Sequence, residues 1–196
     1  KTYMGWQGLS EGWQQARAWN TILMETLARV GLPVITFSPC SQGITRSHLV
    51  ENWDVSGINT ALENGLLPLV YGDVVFDKLI GGTILSTEEQ FEYLATKLKP
   101  ARILLAGIEP GVWQDFPARN GLFQLITPTR IELVDKYLSV SESPDVTGGM
   151  RSKVYSMLNL VKSGHCDEVC IFSGREDESI FNAITGLCSG TTISLE

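Results

Sequence analysis

Short apolar runs alternate along this chain with stretches of helical periodicity, and that alternation limits the fold more than any single motif. Residues 66–71, 101–107 and 168–172 are apolar almost without interruption, as strands buried on both faces are. Trp13, Ala16, Leu23, Leu27 and Val30 recur at helical spacing over residues 11–30, and Gly31 follows as a C-cap. Residues 87–98 read as a helix whose start carries a capping box, Ser86 with Glu89. Further helices are expected over residues 58–63 (stopped by Asn64-Gly65), 130–138, 150–162 and 178–185. Further strands are expected over residues 32–37, 122–126 and 191–195, with a hairpin over 72–86 turning at Gly81-Gly82. The alternation predicts an α/β protein, a three-layer αβα sandwich around a mostly parallel, open sheet with right-handed crossovers.

At 196 residues the chain suits one substantial domain, taken here as residues 1–196. Fifteen basic against 22 acidic residues leave a net charge of −7, which argues against nucleic acid or an anionic membrane surface as partner. A small phosphorylated ligand needs only a local positive site and stays open. No apolar run approaches the roughly 20 residues that span a bilayer. Cys40, Cys166, Cys170 and Cys188 match neither a redox pair nor a zinc pattern, so free, buried thiols in a reducing, cytoplasmic setting are expected. His165, Cys166 and Cys170 are read the same way, as core rather than metal ligands.

One stretch carries chemistry: Asp145-Val146-Thr147-Gly148-Gly149-Met150-Arg151-Ser152-Lys153-Val154. The first N–H groups of a helix lack internal partners and carry the positive end of its dipole, so they attract an anion. Adjacent glycines let that anion approach the backbone, and Lys153 adds a point charge suited to phosphate. Thr147 as an ordinary N-cap explains the same residues without a ligand. In open α/β sheets ligands bind beyond the carboxyl ends of the strands. Gly72-Asp73, Gly107 and Ser173-Gly174 all sit at such ends. Neither a GxxxxGK[ST] loop nor a GxGxxG fingerprint is present.

These segments resemble the amino acid kinase superfamily, and within it the isopentenyl phosphate kinases. Leu67-Pro68-Leu69-Val70-Tyr71-Gly72-Asp73-Val74-Val75-Phe76-Asp77 is similar to the P-V-L-H-G-D-V-V-x-D of that family. Ile84-Leu85-Ser86-Thr87-Glu88-Glu89 is similar to I-x-S-G-D-x, and residues 145–153 to D-V-T-G-G-M-x-x-K. Ile171-Phe172-Ser173-Gly174 and Gly190-Thr191-Thr192-Ile193 resemble the closing I-x-N-G and G-T-x-I. The family's N-terminal lysine loop and H-G-G-G-S-F-G-H segment have no counterpart, so the domain is expected to be N-terminally incomplete. Tyr71 stands for a histidine and Glu88 for an aspartate. Residues 106–112 lack the acid of T-D-V-x-G-V.

The resemblance implies an ATP-dependent kinase, with Mg2+, acting on a small phosphorylated substrate and commonly dimeric. Asp145, Thr147, Gly148, Gly149 and Lys153 would hold the nucleotide phosphates, and Ser173 and Gly174 would lie beside its base. Lys153, Glu88 and Asp73 are the candidate catalytic residues. Gly72 and Asp73, with Gly5 and Gly8 as the remnant of a loop, are the candidate acceptor residues, and Trp6, Trp13 and Trp19 candidate walls of an apolar acceptor pocket. The rivals are a sibling kinase acting on a phosphonate, nucleoside monophosphate, carbamate or amino acid carboxylate, and a non-catalytic nucleotide-binding protein of the same fold.

Overall fold

The structure, a computed structural model, describes residues 3–138 and 149–196. The chain divides into two compact units, one ending at Lys97 and the other beginning at Leu98. Helix α1, Tyr3–Arg29, opens the first unit and starts about two turns earlier than its periodicity suggests. Gly5 and Gly8 are therefore helical, which corrects their reading as loop remnants. Glycine costs about 1 kcal/mol in a helix, and close packing holds this one together. A Cβ on Gly12 would lie 3.1 Å from Val74, and one on Gly82 would lie 2.8 Å from Leu9. The helix ends in a Schellman motif: Gly31 (φ 87°) donates to Ala28 O at 3.0 Å and Leu32 to Leu27 O at 3.2 Å.

Strand β1 (Val34–Thr36) pairs in parallel with β4 (Leu67–Leu69). Between them come the short helix α2 (Pro39–Gln42), a hairpin of β2 (Gly43–Arg46) and β3 (Leu49–Trp53), and helix α3 (Ser56–Glu63). The hairpin has no signal in the sequence. Its turn places Ser47 and His48 at φ 51° and 72°, without the Asn-Gly that usually marks such a turn. Strand β5 (Asp73–Asp77) pairs with β2 in parallel and with β6 (Gly81–Leu85) antiparallel. The β5–β6 turn is Lys78-Leu79-Ile80, so Gly81-Gly82 belongs to β6 rather than to the turn. Helix α4 (Thr87–Leu98) follows, with both arms of the capping box in place: Ser86 N–H to Glu89 Oε2 at 2.7 Å and Glu89 N–H to Ser86 Oγ at 3.2 Å.

In the second unit β7 (Arg102–Gly107), β9 (Glu168–Ser173), β10 (Thr191–Ser194) and β8 (Leu125–Ile126) lie in that order. The β7–β9 and β10–β8 pairs are parallel and β9–β10 antiparallel, so the sheet is mainly parallel with one antiparallel pairing, as the α/β expectation has it. Helices α5 (Ile131–Leu138), α6 (Gly149–Lys162) and α7 (Ser179–Thr185) complete the unit. Every β9 residue after Glu168 is buried, so both faces of that strand are covered. Cys170 and Phe172 pack with Ala183 of α7 on one face. Val169 and Ile171 take the other by alternation, beneath the buried Val154, Met157, Leu158 and Val161 of α6. The unit is thus locally a helix–sheet–helix sandwich.

Cys170 and Cys188 form a disulfide, against the expectation of free thiols. Their Cα atoms are 5.9 Å apart, within bridging range, because the turn after α7 returns Cys188 to β9. Cys40 and Cys166 are free. The cysteines therefore lend no support to a reducing compartment. Among the described residues no helix is long and apolar enough to cross a membrane.

The β2–β3 hairpin depends on one buried carboxylate. Asp77, 4% exposed, accepts from the Thr45 hydroxyl (2.8 Å) and the His48 N–H (2.9 Å) on one oxygen. Its other oxygen accepts from the Leu79 (2.8 Å) and Ile80 (3.0 Å) N–H groups. Desolvation alone would raise the carboxyl, but these four donors outweigh it and hold the group far below its usual range. A depressed carboxyl stabilises the fold above the unfolded value, about pH 4, and that stability is lost as pH falls through the folded value. Asp77→Asn should lower Tm by several degrees at pH 7. The gap to wild type should narrow as pH drops below about 4, which thermal melts across pH would read. A gap independent of pH would contradict this assignment.

Candidate active site

The sequence-predicted residues fall into two groups, one in each unit. In the first, Tyr71-Gly72-Asp73 joins β4 to β5 beside the start of α4. A Cβ on Gly72 would lie 3.9 Å from Leu85 O and 4.0 Å from Thr87 Cγ2. Glu88 is half-buried in the first turn of α4 and accepts from the Thr87 hydroxyl at 3.0 Å. Asp73, 2% exposed, points inward. Its Oδ2 accepts from Ser38 Oγ (2.9 Å) and Cys40 N–H (3.3 Å), and its Oδ1 from Val74 N–H (2.9 Å). Burial pushes its carboxyl above the ordinary value despite these donors. Burial likewise raises the Cys40 thiol and the Tyr71 phenol, and the Asp73 charge adds to both. The carboxylate thereby holds the Ser38–Cys40 turn against β5.

Gly5 and Gly8 are exposed on α1. Trp19 is 74% exposed and walls nothing, while Trp6 sits tilted 6.4 Å from Phe76, and Trp13 is half-buried under the Arg17 guanidinium at 5.5 Å.

The second group gathers at the carboxyl end of β9. Because β7 and β9 are parallel, Gly107 and Ser173 end them side by side, and Gly174 N–H donates to Gly107 O at 2.9 Å. Ser173 is 6% exposed, and its hydroxyl accepts from Arg175 N–H at 3.2 Å. Strand β10 runs antiparallel to β9 and so begins at that same end. There Thr191 Oγ1 accepts from Val112 N–H at 2.8 Å. Gly190 fits because it has no side chain: a Cβ would overlap the carbonyl oxygens of Ile171 and Pro110.

Helix α6 brings the phosphate motif to this end. It leads into the amino end of β9 and packs against β9 and β10. Its 14 residues rise about 21 Å and the six of β9 about 20 Å. Helix and strand are thus of similar length, and the helix packs along the strand whose amino end it leads into. Gly149 opens it at φ 65°, a left-handed conformation that favours glycine, with no neighbour to a Cβ within 4 Å among the described residues. Lys153 is half-buried one turn further on. Arg151 is engaged elsewhere: it forks onto Asp135 of α5 at 2.7 and 3.0 Å and holds that carboxyl below its usual range. Asp145, Thr147 and Gly148 lie outside the described residues.

Two residues that sequence reasoning misses contribute to this geometry, and Thr191 enters it only through the Gly190-Thr191-Thr192-Ile193 resemblance. Ser38 is hidden as a turn residue. Gln90 does leave a signal, being a polar residue one turn from Leu94 on the inward face of α4.

A model of the amino acid kinase family matches residues 12–173. The isopentenyl phosphate kinase of Methanocaldococcus jannaschii is 32% identical over 187 residues, covering 95% of this chain and 68% of the relative. That of Arabidopsis thaliana is 29% identical, covering 74% and 48%. Similarity to a solved isopentenyl phosphate kinase gives a TM-score of 0.74 at 23% identity, over 91% of this chain and 66% of that one. An N-acetylglutamate synthase from Neisseria gonorrhoeae gives 0.76 at 13%, which bears on the fold alone. The chain thus spans from about half to two thirds of the length of these isopentenyl phosphate kinases.

Gly190→Ala should cost about 3 kcal/mol, the upper end for overpacking, since backbone carbonyls cannot swing aside as a side chain can. Denaturant unfolding would measure it. Unchanged stability would mean that the β10 start is not wedged between Pro110 and Ile171.

Proposed function

The chain belongs to the amino acid kinase family, and we propose that it transfers the γ-phosphoryl group of ATP to isopentenyl phosphate, giving isopentenyl diphosphate. The observation that carries this reading is the 32% identity to an isopentenyl phosphate kinase over 95% of the chain, and the packing of α6 against β9 and β10, whose ends gather Gly107, Ser173 and Gly190, supports it. Phosphoryl transfer asks for in-line positioning and for neutralisation of charge on the transferred oxygens, with little covalent help. Gly149 offers a backbone N–H to the nucleotide phosphates, Lys153 neutralises the β- and γ-oxygens, and Ser173 and Gly174 flank the base. Gly148, Thr147 and Asp145 would serve the same phosphates. Gly72 and Glu88 serve the acceptor side. Asp73 acts by positioning, holding the Ser38 turn.

Mg2+ enters with the nucleotide. Among the described residues no group of three His, Cys, Asp or Glu side chains is placed to hold a metal ion, and three hydrogen bonds already engage the Asp73 carboxylate. The ion would be held by phosphate oxygens and water, as Mg2+ commonly is in nucleotide sites. A homodimer in the cytoplasm belongs to the same reading, on the family resemblance.

One observation favours a second reading, nucleotide binding without transfer. Gly107 stands where the resemblance has an acid, and no described residue comes within 4 Å of where its Cβ would be.

Full-length protein should convert isopentenyl phosphate with ATP faster than any phosphonate, nucleoside monophosphate, carbamate or amino acid offered beside it. Turnover of another acceptor alone would sink the proposal, and ATP binding without any turnover would select the second reading. Lys153→Ala should lower kcat by about 10²–10³-fold while leaving the fold intact, because it removes charge stabilisation in the transition state. A kcat near wild type would remove Lys153 from the mechanism.

A further inference from the structure

Gln90 is 2% exposed and sits in the first turns of α4, where solvent would ordinarily satisfy an amide. Its Nε2 donates to two backbone carbonyls that belong to different segments, Tyr71 O at 2.7 Å and Leu85 O at 3.3 Å. Tyr71 O is the oxygen of the peptide whose N–H is Gly72, and Leu85 ends β6 immediately before Ser86-Thr87-Glu88. One side chain thus joins the Gly72-Asp73 turn to the Ser86–Glu88 helix start. The amide's Oε1 is buried and has no partner among the described residues. Leaving a buried acceptor unsatisfied is costly, and the core of a helix–sheet junction would accept leucine or methionine instead. A glutamine retained there is explained by the two carbonyls that its nitrogen holds.

We propose that Gln90 is a positioning residue for phosphoryl transfer, fixing the Tyr71–Gly72 peptide and the start of α4 relative to each other so that Gly72 and Glu88 keep one geometry toward the acceptor. The proposal rests on the acceptor role given to Gly72 and Glu88 above. The mechanism is geometric. Without the clamp, two lone carbonyls face each other across the junction with nothing between them, and the Gly72 peptide is free to rotate. Displacement of about 1 Å in a positioned group is enough to cost on the order of 10²-fold in rate. Nucleotide contacts lie on other elements, α6 and the ends of β7 and β9, and do not depend on this amide.

The test compares full-length wild type with Gln90→Met, which keeps length and loses the donor, and with Gln90→Glu, which keeps shape and exchanges the amide for a carboxylate. The expected result is a fall of about tenfold or more in kcat/KM for the acceptor per folded enzyme, with KM for ATP within twofold, in both variants. Partial recovery of Gln90→Glu as pH falls and its carboxyl regains a proton donor is the second expectation. A merely structural role would only reduce the folded fraction, leaving kcat per folded enzyme and both KM values unchanged, and that outcome overturns the proposal. If Gln90→Met does not fold, Gln90→Asn, too short to reach both carbonyls, carries the same comparison. Wild type assayed first against the acceptor panel separates the two claims, since the variants are then read on whichever acceptor it phosphorylates. Should it phosphorylate none, amide hydrogen exchange over residues 71–73 and 86–88 still decides whether the clamp exists: faster exchange in both segments of Gln90→Met supports it, and unchanged exchange overturns it.

Discussion

Where Gly190 passes between the carbonyl oxygens of Ile171 and Pro110, the chain has no room for a single additional carbon. The arrangement of the second unit's strand ends follows from that constraint. With β10 begun there, Thr191 can hold the Val112 N–H, the turn after β7 is pinned, and Gly107, Ser173 and Gly174 come to one end of the sheet. The Cys170–Cys188 disulfide fastens the segment leading into Gly190 to the strand on which Ile171 sits. A phosphate-binding helix start is useful only if the sheet end beside it is fixed. Here steric exclusion fixes it, reinforced by one hydroxyl and one covalent bond.

The first unit relies on polar clamps instead. Two buried aspartates four residues apart on β5 have opposite electrostatics. Four donors make Asp77 strongly acidic, whereas burial dominates at Asp73 and raises it. Both end up doing backbone work, Asp77 on the β2–β3 turn and Asp73 on the Ser38–Cys40 turn. Beside Asp73, the Gln90 amide bonds the Tyr71 carbonyl of the Tyr71–Gly72 peptide. Polar groups inside a small unit are safe only when satisfied, and of these three only the Gln90 Oε1 is not.

How much of this could be read from the chain depended on how local the cause was. Helix ends at Gly31 and Asn64-Gly65 are legible because a left-handed C-cap is a matter of one residue's backbone. The capping box at Ser86 and Glu89 is legible for the same reason. Strand character shows wherever a run is buried on both faces, as in β9. The β2–β3 hairpin does not show, because Asp77, some 30 residues away, supplies what a glycine turn would normally provide. The disulfide is hidden by the 18 residues separating its cysteines, and the early start of α1 by glycines that are costly until Val74 and Gly82 are packed against it. In the candidate site, the phosphate motif and the strand-end glycines are visible as sequence. The inward turn of Asp73 is not, since a carboxylate beside a glycine reads as available until Ser38 and Cys40 are seen to occupy it.

In a chain of the amino acid kinase family, the proposed nucleotide site is the start of α6 together with the carboxyl end of β9. A crystal structure of the full-length protein with a non-hydrolysable ATP analogue tests that most directly. The account predicts the triphosphate at the Gly149 N–H with Lys153 Nζ on its terminal oxygens, and the base beside Ser173-Gly174. A nucleotide bound away from the start of α6 and the end of β9 would contradict it.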